Sequence, residues 1–158
     1  MEIEIFDGNL SKKDVKQNRV RTACRGVVQK DGLILTVYEE KWDITTLPGG
    51  GLEENETVCA CVVREVKEET GVIVENPVEM VRVIEHFEHE SFVSIYFSCE
   101  FVEETGIVEF TELEKAVNLQ TKWLYLDDLL DILSTNMTKH EYGVNIHNRE
   151  FIGLINSI

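Results

Sequence analysis

The chain has 158 residues, 43% of them hydrophobic and 28% charged, which is the balance of one globular domain with its own core. Its 30 acidic and 15 basic residues give a formal charge of −15 at pH 7, a field that repels nucleic-acid backbones and argues against a nucleic-acid polymer as partner. No apolar run approaches the roughly 18 residues of a membrane span, and the acidic N-terminus is unlike a signal peptide, so we expect a cytoplasmic protein without a membrane partner.

The first predicted elements are extended. The segment RVRTACRGVVQKDGLILTVYEE is rich in β-branched residues and predicts two strands around a turn at Asp31 and Gly32. The next segment, WDITTLPGGG, predicts a short extended stretch interrupted by Pro48 and by three glycines.

A helix is predicted from Thr57 to Thr70. Thr57 is a suitable N-cap, and Gly71 stands where a glycine commonly ends a helix. Apolar residues recur at helical spacing and predict a buried stripe, formed by Val58, Cys61, Val62 and Val66.

The second half of the chain predicts strands followed by helix. Pro77 predicts an element boundary. After it, VEMVRVIEHFEH and SFVSIYFSCEFVEE indicate a hairpin, TELEKAVNLQ a loop or short helix, and TKWLYL a short strand. DDLLDILST predicts a helix that Asp127 could cap, and we expect the C-terminal segment, about 134–158, to pack on the core. The order of elements predicts a mixed α/β layer fold.

Three carboxylates mark the predicted helix. Glu65, Glu68 and Glu69 stand at i, i+3 and i+4 and therefore lie on one helix face, where they repel one another unless a cation lies among them. Carboxylates are the hard oxygen ligands that Mg²⁺ and Mn²⁺ prefer. A solvated acidic face is the alternative. The glycines at 49–51 favour a site, because they allow the backbone to approach a ligand closely and to offer a carbonyl.

The stretch from Gly50 to Val72 resembles the Nudix box. It reads Gly50, five residues, Glu56, seven residues and then REVKEETGV, which matches every fixed position of Gly-x5-Glu-x7-Arg-Glu-U-x-Glu-Glu-x-Gly-U, where U is aliphatic. The flanking segments RGVVQKDGLILTVYEEKWDITTLPGGGLE and TKWLYLDDLLDIL are similar, more weakly, to the family's lead-in and to its closing strand and helix.

The resemblance implies a fold and an activity. It implies an α/β fold, an α/β/α sandwich with a mixed β-sheet, in which the box at 50–72 is a loop-helix-loop within one domain spanning 1–158. It also implies a Nudix (MutT-like) hydrolase that uses Mg²⁺ or Mn²⁺ to cleave a diphosphate linkage in a nucleoside diphosphate derivative. Bound metal would screen the phosphates and lower the pKa of the attacking water.

The resemblance also implies roles within the box. Glu65, Glu68 and Glu69 are the expected metal ligands, and the Gly49 carbonyl is a further candidate. Arg64 is expected to orient a box glutamate. The residues expected to shape the loop and end the helix are Gly50, Glu56 and Gly71.

The general base is left open between two regions. It is a box glutamate, Glu68 or Glu69, or an acid of the later loop, Glu112 or Glu114. The alternative for the loop acids is an ordinary solvated surface.

Residues outside the box are candidates for holding the substrate. Arg19, Arg21 and Arg25 are rare positive charges that strand alternation places on one face, so they could hold a distal phosphate. His86 could contact a phosphate or base, and Phe87 could stack on a base, although such residues are often surface or core.

The identity of the substrate is not predicted. About sixteen residues past the box, some Nudix subfamilies carry a proline (ADP-ribose hydrolases) or a tyrosine (diadenosine polyphosphate hydrolases). This chain has FEHE there, which disfavours both and leaves nucleoside triphosphates and nucleotide sugars open. The alternative function is a Nudix-fold sensor that binds a nucleotide without cleaving it, and both a monomer and a homodimer are compatible with the sequence.

Overall fold

The computed structural model describes residues 1–135 and 137–158, which form eight strands and four helices. In chain order these are β1 (Glu2–Phe6), β2 (Arg19–Lys30), β3 (Leu33–Glu39), β4 (Ile44–Thr46), β5 (Gly49–Gly51), α1 (Val58–Thr70), β6 (Val72–His86), β7 (Glu90–Glu104), α2 (Glu112–Ala116), β8 (Leu119–Tyr125), α3 (Leu126–Ser134) and α4 (Gly143–Ile155).

The strands form one mixed sheet. Its order is β1-β6-β7-β2-β3-β4, with β5 paired to β2 and β8 paired to β3. The β1–β6 and β2–β7 pairs are parallel and the others antiparallel, so both predicted hairpins, β2–β3 and β6–β7, are confirmed. In the register of β2, Cys24 lies opposite Gly50 of β5, which brings the glycine segment to the centre of the sheet.

The two faces of the sheet carry separate cores. On one face, α1 packs with residues of β2, β3, β6 and β7 in a cluster of buried side chains that includes Cys61, Val62, Val66 and Phe97. On the other face, α3 and α4 supply Leu129, Leu133 and Leu154 to a second cluster. Helices therefore cover both sides of a mixed sheet, and the predicted α/β/α sandwich is confirmed.

The boundaries of α1 follow the sequence signals. The Thr57 hydroxyl accepts a hydrogen bond from Ala60 N at 3.2 Å, which satisfies one of the free N–H groups of the first turn. At the other end Gly71 is left-handed, with φ of 71°, and its N–H donates to Lys67 O at 2.8 Å. Of the predicted stripe, Cys61, Val62 and Val66 are buried and Val58 is half-buried against them.

Three features differ from the sequence analysis. The strand β1 was not predicted, although its alternating Ile3 and Ile5 pack on the second core. Strand β6 begins at Val72 and continues past Pro77, and one shift in its register with β7 spans the proline, between Glu75 and Val78. Asp127 is not a cap, because α3 begins one residue earlier, at Leu126, and its N-cap residue makes no side-chain hydrogen bond.

Most of the predicted C-terminal segment, 134–158, is α4. Leu154 is fully buried, and Phe151 and Ile152 pack beside it against the second core. Position 136 of that segment lies outside the described residues. Within residues 1–135 and 137–158, no helix has both the length and the apolar character that a membrane crossing requires.

Candidate active site

The carboxylate face of α1, formed by Glu65, Glu68 and Glu69, is turned toward β5, the glycine strand. Glu65 and Glu69 are 9% and 7% exposed, and Glu68 is half-buried beside them. The Gly49 N–H donates to Glu69 Oε2 at 2.7 Å, which joins β5 directly to the helix. The three predicted carboxylates therefore lie together, and two of them are buried rather than solvated.

Arg64 donates hydrogen bonds to three acidic side chains of the box. Its Nε and Nη2 donate to the two Glu56 oxygens at 2.7 and 2.9 Å, and Nη1 donates to Glu65 Oε1 at 2.6 Å and Glu68 Oε2 at 3.2 Å. Nη2 also reaches Gly51 O at 3.2 Å. Hydrogen bonding to Arg64 lowers the pKa of Glu56 to about 2. The loop before α1 thus folds back onto the helix, and one guanidinium fixes both.

Two of the three glycines have no room for a side chain. Gly49 has a φ of 153°, and a Cβ there would overlap the Cys24 carbonyl oxygen. A Cβ at Gly50 would lie 2.6 Å from Glu65 Cδ and overlap its carboxylate. Gly51 has nothing within 4 Å of such an atom. The close approach of β5 to α1 therefore depends on Gly49 and Gly50.

Arg25 lies behind the glycine strand. Its Nη1 donates to the Gly49 carbonyl at 2.7 Å, so the carbonyl named as a possible metal ligand faces a guanidinium. Its Nε is 3.7 Å from Glu150 Oε1. Arg19 and Arg21 are exposed near the start of β2, and Arg21 Nε is 3.9 Å from Glu90. The structure thus separates Arg25, at the site, from the other two arginines.

Burial governs the ionisation of the central carboxylates. Desolvation raises the pKa of Glu69 to about 8, against the opposing effects of the Arg25 charge and the Gly49 N–H. Desolvation also raises the pKa of Glu65, against its hydrogen bond with Arg64. Buried carboxylates of this kind are costly unless a cation compensates them.

The donor set fits a hard divalent cation in its chemistry. It offers carboxylate oxygens on one side of a helix next to a backbone that only glycine allows to come so close. In the part of the chain that the structure describes, however, no three His, Cys, Asp or Glu side chains converge as an ion would require. The reason is local: Arg64 holds Glu65 and Glu68, and Gly49 holds Glu69.

The two loop acids differ in position. Glu114 accepts from Thr111 N at 2.7 Å in a capping box at the start of α2, and its charge contributes to raising the pKa of Glu65 and Glu69. Glu112 is 90% exposed and pairs with Lys115 at 2.7 Å. The loop itself is tied to α1, since Glu109 N donates to Glu68 O at 2.7 Å. Of these two acids, Glu114 is the one whose charge acts on Glu65 and Glu69.

A cavity of about 600 Å³ opens where the β6–β7 turn meets α4. Its wall includes the predicted Phe87 together with Phe92, Tyr142, Asn145 and Arg149. Phe87 and Phe92 meet edge to face, with centroids 5.8 Å apart. The predicted His86 is elsewhere: its ring stacks on Phe6 at 4.6 Å and its Nδ1 is 2.8 Å from Ser91 Oγ.

The charged pair on α4 was not predicted from the sequence. Glu150 is fully buried, and Arg149 Nη2 donates to its Oε1 at 2.9 Å while Nη1 lies 3.4 Å from Glu85 Oε2. The only local signal is an Arg-Glu dipeptide directly before the apolar run FIGLI in an otherwise amphipathic segment. Such a pair on a helix that packs on the core indicates a buried polar network.

Comparison with known proteins agrees with the geometry. The family model described as NUDIX domain matches residues 18–152. The ADP-ribose pyrophosphatase of Methanocaldococcus jannaschii is 39% identical over 71 residues, which cover 40% of this chain and 42% of that protein. The chain thus matches less than half the length of this curated relative.

Solved structures match over most of the chain. A NUDIX hydrolase from Nitrosomonas europaea aligns with a TM-score of 0.62 at 18% identity, covering 85% of this chain and 90% of that one. A MutT NUDIX hydrolase from Burkholderia pseudomallei aligns with a TM-score of 0.58 at 21% identity, covering 84% of this chain and 98% of that one. The ORF135 protein of E. coli aligns with a TM-score of 0.60 at 14% identity, covering 89% of this chain and 94% of that one. At these identities the likeness establishes the fold.

The family is established by the model match, which takes in 18–152 and therefore the box, most of the sheet and most of α4. It agrees with the box residues, with their burial against a glycine strand and with the sandwich fold. The chain belongs to the NUDIX hydrolase family.

Proposed function

We propose that this protein hydrolyses a diphosphate linkage in a nucleoside diphosphate derivative, by attack of water at phosphorus. One observation carries the proposal: the buried Glu65 and Glu69 face a strand whose Gly49 and Gly50 have no room for side chains. A solvated acidic face would need neither the burial nor the glycines. Removing two carboxylates from water is costly, and a bound cation is the natural compensation.

The metal is proposed to be Mg²⁺ or Mn²⁺. Glu65, Glu68 and Glu69 would hold it, and it would screen the diphosphate and lower the pKa of a bound water. The Gly49 carbonyl is a further candidate donor through the lone pair that Arg25 Nη1 does not use. Arg64, which binds Glu56, Glu65 and Glu68, keeps the carboxylates on one side of α1.

Glu114 is the proposed general base. Its charge acts on Glu65 and Glu69, and it follows a loop that is hydrogen-bonded to α1 through Glu109 N and Glu68 O. From there its carboxylate can take the proton of the attacking water. Glu68 is the second candidate, because it is the least buried of the three box carboxylates.

The cavity beside α4 is proposed to hold the nucleoside end of the substrate. Aromatic side chains in its wall, Phe87, Phe92 and Tyr142, suit stacking on a base, and Arg149 and Asn145 offer hydrogen bonds. The M. jannaschii relative makes ADP-ribose the first compound to test, even though the proline that marks ADP-ribose hydrolases is missing at FEHE.

The test is a hydrolysis screen with purified protein. ADP-ribose, other nucleotide sugars and the nucleoside triphosphates would each be incubated with and without Mg²⁺, and release of monophosphate or pyrophosphate would be measured. We expect Mg²⁺-dependent turnover of at least one compound. Tight binding of one compound without turnover of any would contradict the proposal and support a nucleotide sensor.

A further inference from the structure

Glu150 connects α4 to the segment that leads into the glycine strand. Its Oε2 accepts from Leu47 N at 3.1 Å. Its Oε1 accepts from Arg149 Nη2 at 2.9 Å and from the Tyr96 hydroxyl at 3.3 Å. The side chain is fully buried, so these protein donors take the place of water around its charge.

Arg25 connects Glu150 to Gly49 on the glycine strand. Its Nη1 donates to Gly49 O at 2.7 Å and to Leu47 O at 3.4 Å. Its Nε lies 3.7 Å from Glu150 Oε1 and has no hydrogen-bond partner among the described residues, although it is buried. An unpaired buried N–H is costly, and the carboxylate oxygen 3.7 Å away is already engaged by Arg149 and Tyr96.

Arg149 connects Glu150 to the cavity beside α4. It lines the cavity beside α4, and its Nη1 is 3.4 Å from Glu85 Oε2, which lines the same cavity. Consecutive residues of one helix therefore reach the cavity wall and the Leu47 N–H, two residues before the glycine strand. The path from the cavity to the metal-site carboxylate is Arg149, Glu150, Arg25, Gly49 and Glu69.

Stability alone does not account for this cluster. A buried ion pair usually contributes little net free energy compared with apolar side chains of the same volume, because the desolvation cost offsets the attraction. The cluster holds the Leu47 N–H, two residues before β5, and the Gly49 carbonyl on β5, and the N–H of Gly49 touches Glu69. Control of that strand's position is the role that its contacts favour.

We infer that Glu150 is a positioning residue, which links occupation of the cavity to the placement of Gly49 and Glu69. When an acceptor group of the substrate engages Arg149, Glu150 Oε1 is released to accept from Arg25 Nε, which fixes the guanidinium on the Gly49 carbonyl. This inference rests on the proposed function for its effect on turnover. Without substrate, Glu150 already holds the Leu47 N–H and lies 3.7 Å from Arg25 Nε, so its contribution to metal binding is measurable in the free protein.

The first test replaces the charge and keeps an acceptor for Leu47 N–H, in the variant Glu150→Gln. Mn²⁺ affinity is measured by electron paramagnetic resonance with no substrate present, and kcat and KM are measured with whichever compound the wild type hydrolyses. We expect Mn²⁺ affinity and kcat each to fall about 10- to 100-fold, as for other residues that orient metal ligands. The matched control, Glu141→Gln, changes an exposed glutamate just before α4 and should leave both unchanged.

A double-mutant cycle with Arg25→Gln tests the path itself. If Glu150 acts through Arg25, the double variant loses no more Mn²⁺ affinity or kcat than the more strongly affected single variant. Independent roles would instead give fold-losses that multiply. Multiplied effects, or a Glu150→Gln protein with wild-type Mn²⁺ affinity and kcat, would overturn the inference. If Glu150→Gln does not fold, Arg25→Gln alone decides, and unchanged Mn²⁺ affinity in that variant overturns it.

The two proposals fail differently. A wild type that hydrolyses nothing, with Mn²⁺ affinity still reduced in Glu150→Gln, contradicts the proposed function and retains the positioning role. A wild type that hydrolyses its substrate normally, with no effect of Glu150→Gln on either measurement, contradicts the positioning role alone.

Discussion

Gly50 lies directly against the carboxylate of Glu65, so closely that a Cβ on Gly50 would be 2.6 Å from Glu65 Cδ. The contact joins β5 to α1 at the point where the metal site is proposed. It also explains why a run of glycines precedes an acidic helix: the carboxylate occupies the space in which a side chain would stand.

The first prediction concerns this contact. Gly50→Ala forces the Glu65 carboxylate away from β5, and we expect Mn²⁺ affinity to fall about 10- to 100-fold, measured by electron paramagnetic resonance. Gly51→Ala is the matched control, because a Cβ there meets nothing within 4 Å, and it should change the free energy of unfolding by less than about 0.5 kcal/mol. Mn²⁺ affinity should be unchanged in Gly51→Ala. Equal Mn²⁺ affinity in the two variants would contradict the claim that the contact between Gly50 and Glu65 positions a metal ligand.

The second prediction concerns Arg64. Replacement by Met leaves Glu56, Glu65 and Glu68 without their shared cation, so urea unfolding should show a loss of about 3 kcal/mol. The control is Arg82→Met, which breaks a pair with Glu79 at the surface and should cost about 0–1 kcal/mol. A loss at Arg64 no larger than that at Arg82 would contradict the role given to its network.

The fold was predictable wherever the decisive signal is local. Thr57 and Gly71 set the ends of α1 through hydrogen bonds within one helical turn, and the sequence pattern contains both partners. Pro77 misled the prediction of where β6 begins, because the strand tolerates it through irregular pairing with β7. Asp127 misled the prediction of a cap, since α3 begins at Leu126, directly after β8 ends at Tyr125.

The site was predictable in its box and not beyond it. Glu65, Glu68 and Glu69 share a face because of helix geometry alone, so their spacing was enough. The partnership of Arg25 with Gly49 O and Glu150 joins three distant elements of the chain, and no spacing along the sequence encodes it. Predicting it requires knowing that β5 pairs with β2 and that α4 covers the opposite face of the sheet from α1.

The third prediction separates the two loop acids. Glu114→Gln removes the proposed base yet keeps the capping box, because glutamine can also fill that position, so kcat should fall at least about 100-fold while the unfolding midpoint changes little. Glu112→Gln alters an exposed side chain and should leave kcat within about twofold of the wild type. Steady-state kinetics with the substrate found in the screen decide between them. A fully active Glu114→Gln would move the role of base to Glu68.

The fourth prediction is a pH dependence of stability at His147. Its Nε2 accepts from Thr45 N at 3.1 Å, which requires the neutral ring, and burial lowers its pKa, against the opposing charges of Glu150 and Asp43. The unfolded chain therefore binds the proton more readily. The contribution of His147 is fully present above the unfolded pKa of about 6.5 and is lost as pH falls toward the lowered folded value.

The comparison with His147→Gln isolates this effect, because glutamine keeps an acceptor and does not titrate. Unfolding midpoints are measured at about pH 7.5 and about pH 5.5, on either side of the unfolded histidine pKa. The wild type should lose more stability on acidification than the variant. Buried Glu69 and Glu85, whose raised pKa values act in the opposite direction, are common to both proteins and cancel in the difference. Identical losses would contradict the account of His147.

The most direct measurement of the central claim is Mg²⁺-dependent hydrolysis by Glu69→Gln beside Glu103→Gln. Glu69 is the most deeply buried carboxylate of the box, whereas Glu103 is an exposed glutamate on β7, so the two variants make the same substitution at a buried and at an exposed position. We predict that Glu69→Gln folds normally and loses at least about 100-fold in kcat/KM, and that Glu103→Gln matches the wild type. Full activity of Glu69→Gln would contradict the assignment of the metal site.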